Sequence, residues 1–168
     1  MLEKYNETEV QSFYNEHGYF IFRDILPASL IEKSLEEIDI ALKCQWKLYF
    51  SEEGYPGKDK AIVKLFNRNR HYRRVLYEWL NKRMLTPYNY AMLDEIKLIC
   101  KWIGLEYPMF QMSANRFHLP GEDDFKTGVH QDIGIMTTES SVTLWLPLIP
   151  SSPINGAIKL WDKSYTED

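Results

Sequence analysis

The chain has 168 residues, 45% of them hydrophobic and 14% aromatic, which suffices for one domain with a sizeable core and excludes a disordered or linker-dominated protein. A formal net charge of −4 and a pI near 5.6 give no global attraction to phosphate backbones, so no nucleic-acid partner is expected. The segment from Met1 to Glu7 lacks the basic and apolar regions of a signal peptide, and no later apolar run approaches membrane-spanning length. A cytoplasmic location with no membrane partner is the expectation.

Thr8 and Gln11 have capping-box spacing, and Gly18 follows His17 where a left-handed C-terminal cap belongs, so a first helix is expected over that stretch. Tyr19–Arg23 reads as a buried strand of aromatic and β-branched residues, closed by Asp24 and Pro27. From about Ser29, Leu30, Ile31, Leu35, Ile38 and Leu42 recur at three- and four-residue spacing opposite Glu32, Lys33, Glu36 and Glu37, the pattern of an amphipathic helix. The turn formers and charges of Ser51–Asp59 predict an exposed loop, and Ala61–Phe66 resumes ordered structure.

Between Asn69 and Met84, Tyr72, Val75, Leu76, Trp79 and Leu80 keep helical spacing. Thr86-Pro87 then supplies a cap and an N-terminal proline for another helix running through Ile96, Ile99 and Ile103 to Gly104. Cys44 and Cys100 fall in such apolar helical stretches and are expected to be buried free thiols. The run Arg68, Arg70, His71, Arg73 and Arg74 is the one basic cluster, suited to a phosphate or carboxylate if it is not simply a solvated helix face.

After Pro108 the pattern shifts to short segments separated by Pro, Gly and Ser: Met109–Phe117, a loop over Leu119–Asp124, Val129–Ile135, Ser141–Ile149 and Ala157–Trp161. These read as strands of a sandwich or jelly roll. The expected fold class is therefore α+β, one domain over 1–168, with a mainly helical part over 1–107 packed on the first strands of a jelly roll over 108–168.

One triplet in the second part carries metal chemistry. His130-Gln131-Asp132 provides an imidazole and a carboxylate two residues apart, and on an extended segment side chains i and i+2 leave the same face. Both donors are thus able to converge on one ion, as two corners of the two-His, one-carboxylate triad of mononuclear non-haem iron oxygenases. A triplet of this kind is common by chance, and its alternative is a surface hydrogen-bonded pair. His118, with Glu122 and Asp124 nearby, reads as part of a solvated acidic loop.

The order of Phe110–Phe117, a Pro-Gly loop, Val129-His130-Gln131-Asp132, Val142–Leu148 and Asn155-Gly156-Ala157-Ile158 resembles the phytanoyl-CoA dioxygenase family. The opening Phe13–Ile21, followed by Leu26-Pro27 and an amphipathic helix, is similar to that family's usual start, so the resemblance spans nearly the whole chain. It implies a double-stranded β-helix (cupin-like jelly roll), Fe(II), and 2-oxoglutarate and molecular oxygen as cosubstrates of a dioxygenase that hydroxylates a small organic substrate. It further implies His130 and Asp132 as the catalytic metal ligands and Gln131, Met112 and Trp145 as contacts to 2-oxoglutarate. Lys64 in Val63-Lys64-Leu65-Phe66 matches a further contact. A carboxylate at Asp132 implies oxygen insertion and not halogenation.

The sequence departs from that pattern in two respects. The family's distal His and the Arg that grips the far carboxylate of 2-oxoglutarate have no counterpart: the last Arg is Arg116 and the last His is His130. About half of the roughly eight strands a jelly roll needs would be missing. The expectation is an N-terminal portion of a longer domain, with exposed strand edges that invite homo-oligomer formation. The alternative is a non-catalytic binding or scaffold protein on a partial jelly roll.

Overall fold

The computed structural model describes residues 2–119, 128–132 and 140–164, and the chain forms two compact units. One comprises Met1–Ile25, Ala91–Met109 and Pro120–Asp168, and the other Leu26–Tyr90 and Phe110–Leu119. Six α-helices occur among the described residues: α1 (Glu7–His17), α2 (Ala28–Tyr49), α3 (Lys58–Arg68), α4 (Arg70–Arg83), α5 (Thr86–Ala91) and α6 (Asp94–Trp102).

In the first unit α1 packs on α6. Asn6 caps α1 by accepting a hydrogen bond from Glu9 N–H at 3.2 Å, two residues before the predicted Thr8. Gly18 ends the helix at φ 81°, where a side chain would be strained, and its N–H donates to the Tyr14 carbonyl. A second link closes the unit from far along the chain. The His17 Nδ1 lies 2.6 Å from Asp162 Oδ1, Lys163 N–H donates to the His17 carbonyl, and Lys163 Nζ pairs with Glu16 at 3.2 Å. Phe13 stacks on the His17 ring at 4.1 Å and fixes its plane.

In the second unit α2, α3 and α4 pack on one another. Their facing stripes bury Ile38, Leu42 and Trp46 of α2, Ala61 and Leu65 of α3, and Leu76 and Leu80 of α4, at the three- and four-residue spacing that places side chains on one helix face. Asn69 accepts from His71 N–H at 2.8 Å and so starts α4. The basic run divides at this helix: Arg73 is buried, its guanidinium 4.5 Å from the centre of the Phe66 ring, while Arg74 is exposed. The segment Phe110–Leu119 is held by side chains. Asn115 N–H donates to Asn81 at 2.7 Å, Phe117 N–H donates to the Tyr77 hydroxyl, and Phe110 packs on Tyr88.

The helical expectations for α1, α2 and α4 hold and the ordered stretch at Ala61–Phe66 lies in helix α3, whereas the α+β jelly-roll class does not hold: among the described residues there is no β-strand and no sheet. Tyr19–Arg23, Met109–Phe117, Ser141–Ile149 and Ala157–Trp161 have strand-like composition but form no ladder among the described residues. β-Branched and aromatic residues favour extended backbone, and a strand exists only when a neighbour takes its N–H and C=O groups. Arg23 N–H is bonded instead to the Tyr5 hydroxyl at 2.6 Å, and Tyr5 meets Phe20 and Phe22 edge-on. Val129–Asp132 is no strand either, with a bend at Val129 and a 3-10 turn at Asp132, while the predicted loop from Pro120 to Asp124 and the part of the Val129–Ile135 strand beyond Asp132 lie outside the described residues.

Two further expectations are corrected. The helix predicted from Thr86 to Ile103 is two helices, broken at Leu93, whose extended backbone (ψ 135°) precedes Asp94 and Glu95 in a favourable acidic first turn. Cys44 is exposed on α2, one position away from the apolar stripe, whereas Cys100 is buried and its thiol is pushed up by desolvation.

A polar triad staples α2 to the loop ahead of α3. Asp39 receives Lys43 Nζ at 2.6 Å and the Tyr55 hydroxyl at 2.6 Å, and these two bonds hold its carboxyl below the usual range. A depressed carboxylate stabilises the fold above its unfolded-state pKa and loses that contribution as pH falls through the folded value. Tyr55→Phe is therefore expected to be less stable than the parent at neutral pH, with the difference shrinking below about pH 4. Urea midpoints measured across that window check it, and a difference independent of pH would contradict the Asp39 bond as its source.

Candidate functional site

The residues predicted to carry metal chemistry do converge. His130 Nε2 and Asp132 Oδ1 lie 3.3 Å apart in the first unit, at a 3-10 turn and not on the extended strand expected there. The other ring nitrogen, Nδ1, is 2.8 Å from the Gly128 carbonyl. A carbonyl oxygen only accepts, so Nδ1 carries the hydrogen. In neutral His130 the lone pair is then on Nε2, facing a carboxylate oxygen that also only accepts. Two acceptor atoms 3.3 Å apart are placed to share a proton or a cation between them.

Asp132 is oriented from its other side. Thr143 Oγ1 donates to Asp132 Oδ2 at 2.7 Å, which leaves Oδ1 directed to His130. Each member of the pair thus has an outer partner that sets its orientation, the arrangement by which metal-ligating imidazoles and carboxylates are held. Two ligands at about 2.0–2.2 Å from one metal lie roughly 3 Å from each other when they occupy adjacent positions, so 3.3 Å fits the pair to a shared ion. The side chains are 54% and 34% exposed, which leaves the positions opposite them open to solvent and small molecules. Among the described residues no group of three His, Cys, Asp or Glu side chains forms a complete metal cage. The donors present accordingly fit part of an iron coordination sphere.

The remaining predicted residues have other surroundings. Gln131 turns away from the pair and donates its amide to the Ser164 carbonyl at 2.8 Å. Trp145 belongs to the same unit and is half-exposed. Met112 and Lys64 belong to the second unit. Met112 is exposed, and Lys64 is ion-paired with Glu53 while its ammonium sits over Phe50 at 4.7 Å and Trp46 at 5.2 Å. That packing gives Lys64 a structural task within its helical unit. A cleft of about 190 Å³ lined by Tyr14, Gly104 and Val142 includes none of the predicted residues.

Gly128 and Thr143 were not identified from the sequence as parts of the site. A hydroxyl residue early in the apolar segment after the triplet is the one signal that pointed to Thr143, and backbone carbonyls such as that of Gly128 leave no signal at all. Comparison with protein-family models, with curated proteins and with solved structures returns no match.

Proposed function

We propose that the chain carries the proximal part of a mononuclear Fe(II) site, with His130 Nε2 and Asp132 Oδ1 as ligands, in a 2-oxoglutarate-dependent dioxygenase that hydroxylates a small organic substrate. The convergence of these two atoms at 3.3 Å, each with an outer partner, is the observation that supports it. Bound iron would supply oxygen activation coupled to oxidative decarboxylation of 2-oxoglutarate. Gly128 holds the imidazole with Nε2 free to bind, and Thr143 holds the carboxylate in its ligating orientation. Trp145 keeps the cosubstrate role that the resemblance implies, whereas Gln131 is engaged with the Ser164 carbonyl. The rest of the coordination sphere falls to cosubstrate, water and a ligand from outside the described residues. This reading rests on local donor geometry and not on a jelly-roll scaffold.

A second reading, a non-catalytic binding or scaffold protein, is favoured by the lack of a three-donor group among the described residues. Anaerobic Fe(II) titration separates the two. His130→Ala and Asp132→Ala are each expected to weaken iron binding by at least tenfold, and Thr143→Val by about tenfold, with 2-oxoglutarate-dependent succinate formation falling in parallel. Iron affinity and turnover unchanged in both ligand variants would remove the oxygenase reading, and a parent protein that binds no Fe(II) would leave the scaffold reading.

A further inference from the structure

The cleft of about 190 Å³ in the first unit holds no residue of the iron pair. Its walls are Tyr14 of α1, Ile103–Leu105 at the end of α6, and Ser140–Val142. Gly104, at φ 93°, closes α6: its N–H donates to the Lys101 carbonyl at 3.0 Å, and the N–H of Leu105 donates to the Cys100 carbonyl at 2.8 Å. This left-handed turn takes the chain out of the helix. A Cβ at Gly104 would meet nothing within 4 Å, so that wall is open backbone. Half-buried Ile103, Leu105 and Val142 supply apolar surface, and no charged side chain lines the cleft.

Two hydroxyls of this lining are unsatisfied. Among the described residues neither the Tyr14 hydroxyl nor the Ser140 hydroxyl has a hydrogen-bond partner. A phenol withdrawn from water ordinarily finds one. Burial pushes the Tyr14 phenol up, so it stays protonated at neutral pH and offers a donor as well as an acceptor. The end of α6 adds the negative pole of the helix dipole, which favours a ligand that donates hydrogen bonds.

We propose that this cleft binds a small neutral molecule that carries an alcohol or amide group on a compact apolar body. The polar group meets the Tyr14 and Ser140 hydroxyls, and the body lies on Ile103, Leu105 and Val142. A few polar groups in an otherwise apolar concavity are what fix a small ligand's orientation. A charged ligand would lose hydration here without meeting a counter-charge. At about 190 Å³ the cleft is smaller than the roughly 300 Å³ at which sites for drug-sized ligands begin, and it equals the liquid volume of about six waters. It suits a molecule of roughly six to ten non-hydrogen atoms. The inference goes beyond iron binding and does not rest on it, since neither His130 nor Asp132 lines the cleft.

Cyclohexanol and cyclohexanecarboxylate, alike in ring and different in charge, are the probes, titrated into the full chain without metal and followed by amide NMR. Cyclohexanol is expected to give saturable shifts at Tyr14, Ile103, Leu105 and Val142 with a Kd of about 1–10 mM. The carboxylate should bind about tenfold more weakly. Tyr14→Phe and Ser140→Ala each remove one hydroxyl and should weaken cyclohexanol by about three- to tenfold, with helical circular dichroism retained as the folding control. Shifts that do not saturate or that fall outside the lining, an affinity unchanged in both folded variants, or a carboxylate that binds as tightly as the alcohol would each overturn the proposal.

Discussion

Leu42→Ala is expected to destabilise the second helical unit by about 3–5 kcal/mol. Leu42 has no exposed surface, and it lies on α2, which contacts both α3 and α4. Removing three carbons there forfeits the transfer free energy of the side chain and leaves a cavity between helices that are too closely packed to collapse fully. Leu48 provides the internal control. It belongs to the same helix but is 67% exposed, so Leu48→Ala should cost no more than roughly 0.5 kcal/mol. Urea unfolding followed by circular dichroism at 222 nm measures both variants. Equal costs at the two positions would mean that the α2 stripe does not face the core as described.

Glu37→Ala is expected to cost about 2–3 kcal/mol although Glu37 is a charged residue on a helix surface. Its carboxylate reaches across to the start of α5, accepting Leu85 N–H at 3.1 Å, Thr86 N–H at 3.1 Å and the Thr86 hydroxyl at 2.6 Å. A carboxylate from α2 thus performs the capping that helix ends ordinarily obtain from a neighbouring residue in sequence, in the region where the helix dipole also favours negative charge. Thr86 is buried, so the donors left by the truncation have poor access to water. Glu37→Gln keeps one acceptor and loses the charge, and should fall between the parent and Glu37→Ala. Thermal unfolding of the three proteins tests this order. If Glu37→Ala were no worse than Glu36→Ala, an exposed neighbour on the same helix, the cap would be contradicted.

The Glu37 cap also marks the limit of what the sequence made legible. Periodicity identified α2 and α4, and cap residues identified α1, because such signals are properties of one segment. Thr86-Pro87 identified the start of α5, yet the acceptor lies forty-nine positions earlier and no local pattern indicates it. Break points are similarly hidden: Met92 and Leu93 continue an apolar pattern that the backbone interrupts. The strand expectations failed for a related reason. Composition reports whether a segment favours extended backbone, but a sheet depends on a partner, and Tyr19–Arg23 and Phe110–Phe117 use tyrosine hydroxyls, an asparagine amide and ring packing in place of a ladder.

The candidate site was legible to the extent that its chemistry is local. His130 and Asp132 are close in sequence, so a short local turn suffices to bring Nε2 and Oδ1 within 3.3 Å, although the extended strand expected there is not formed. Their orientation depends on Gly128 and Thr143, one a backbone carbonyl and the other eleven residues beyond Asp132. Lys64 shows the reverse case. Its position in an ordered apolar stretch suited a cosubstrate contact by resemblance, while its observed neighbours Glu53, Trp46 and Phe50 give it a task within its own unit.

The contacts of His17 with Asp162 and Lys163 have a consequence for the order of folding. The first unit is assembled from three separate stretches of chain, and its closing bonds join positions 145 apart, so they cannot form on a ribosome until nearly all of the described sequence has emerged. The second unit takes most of its residues from one continuous run, Leu26–Tyr90, and its helix contacts are comparatively short-range. Short-range contacts form quickly because little loop entropy is lost before they are made. During synthesis the α2–α3–α4 unit therefore becomes structured first, while α1, translated before it, waits for the last partner to arrive.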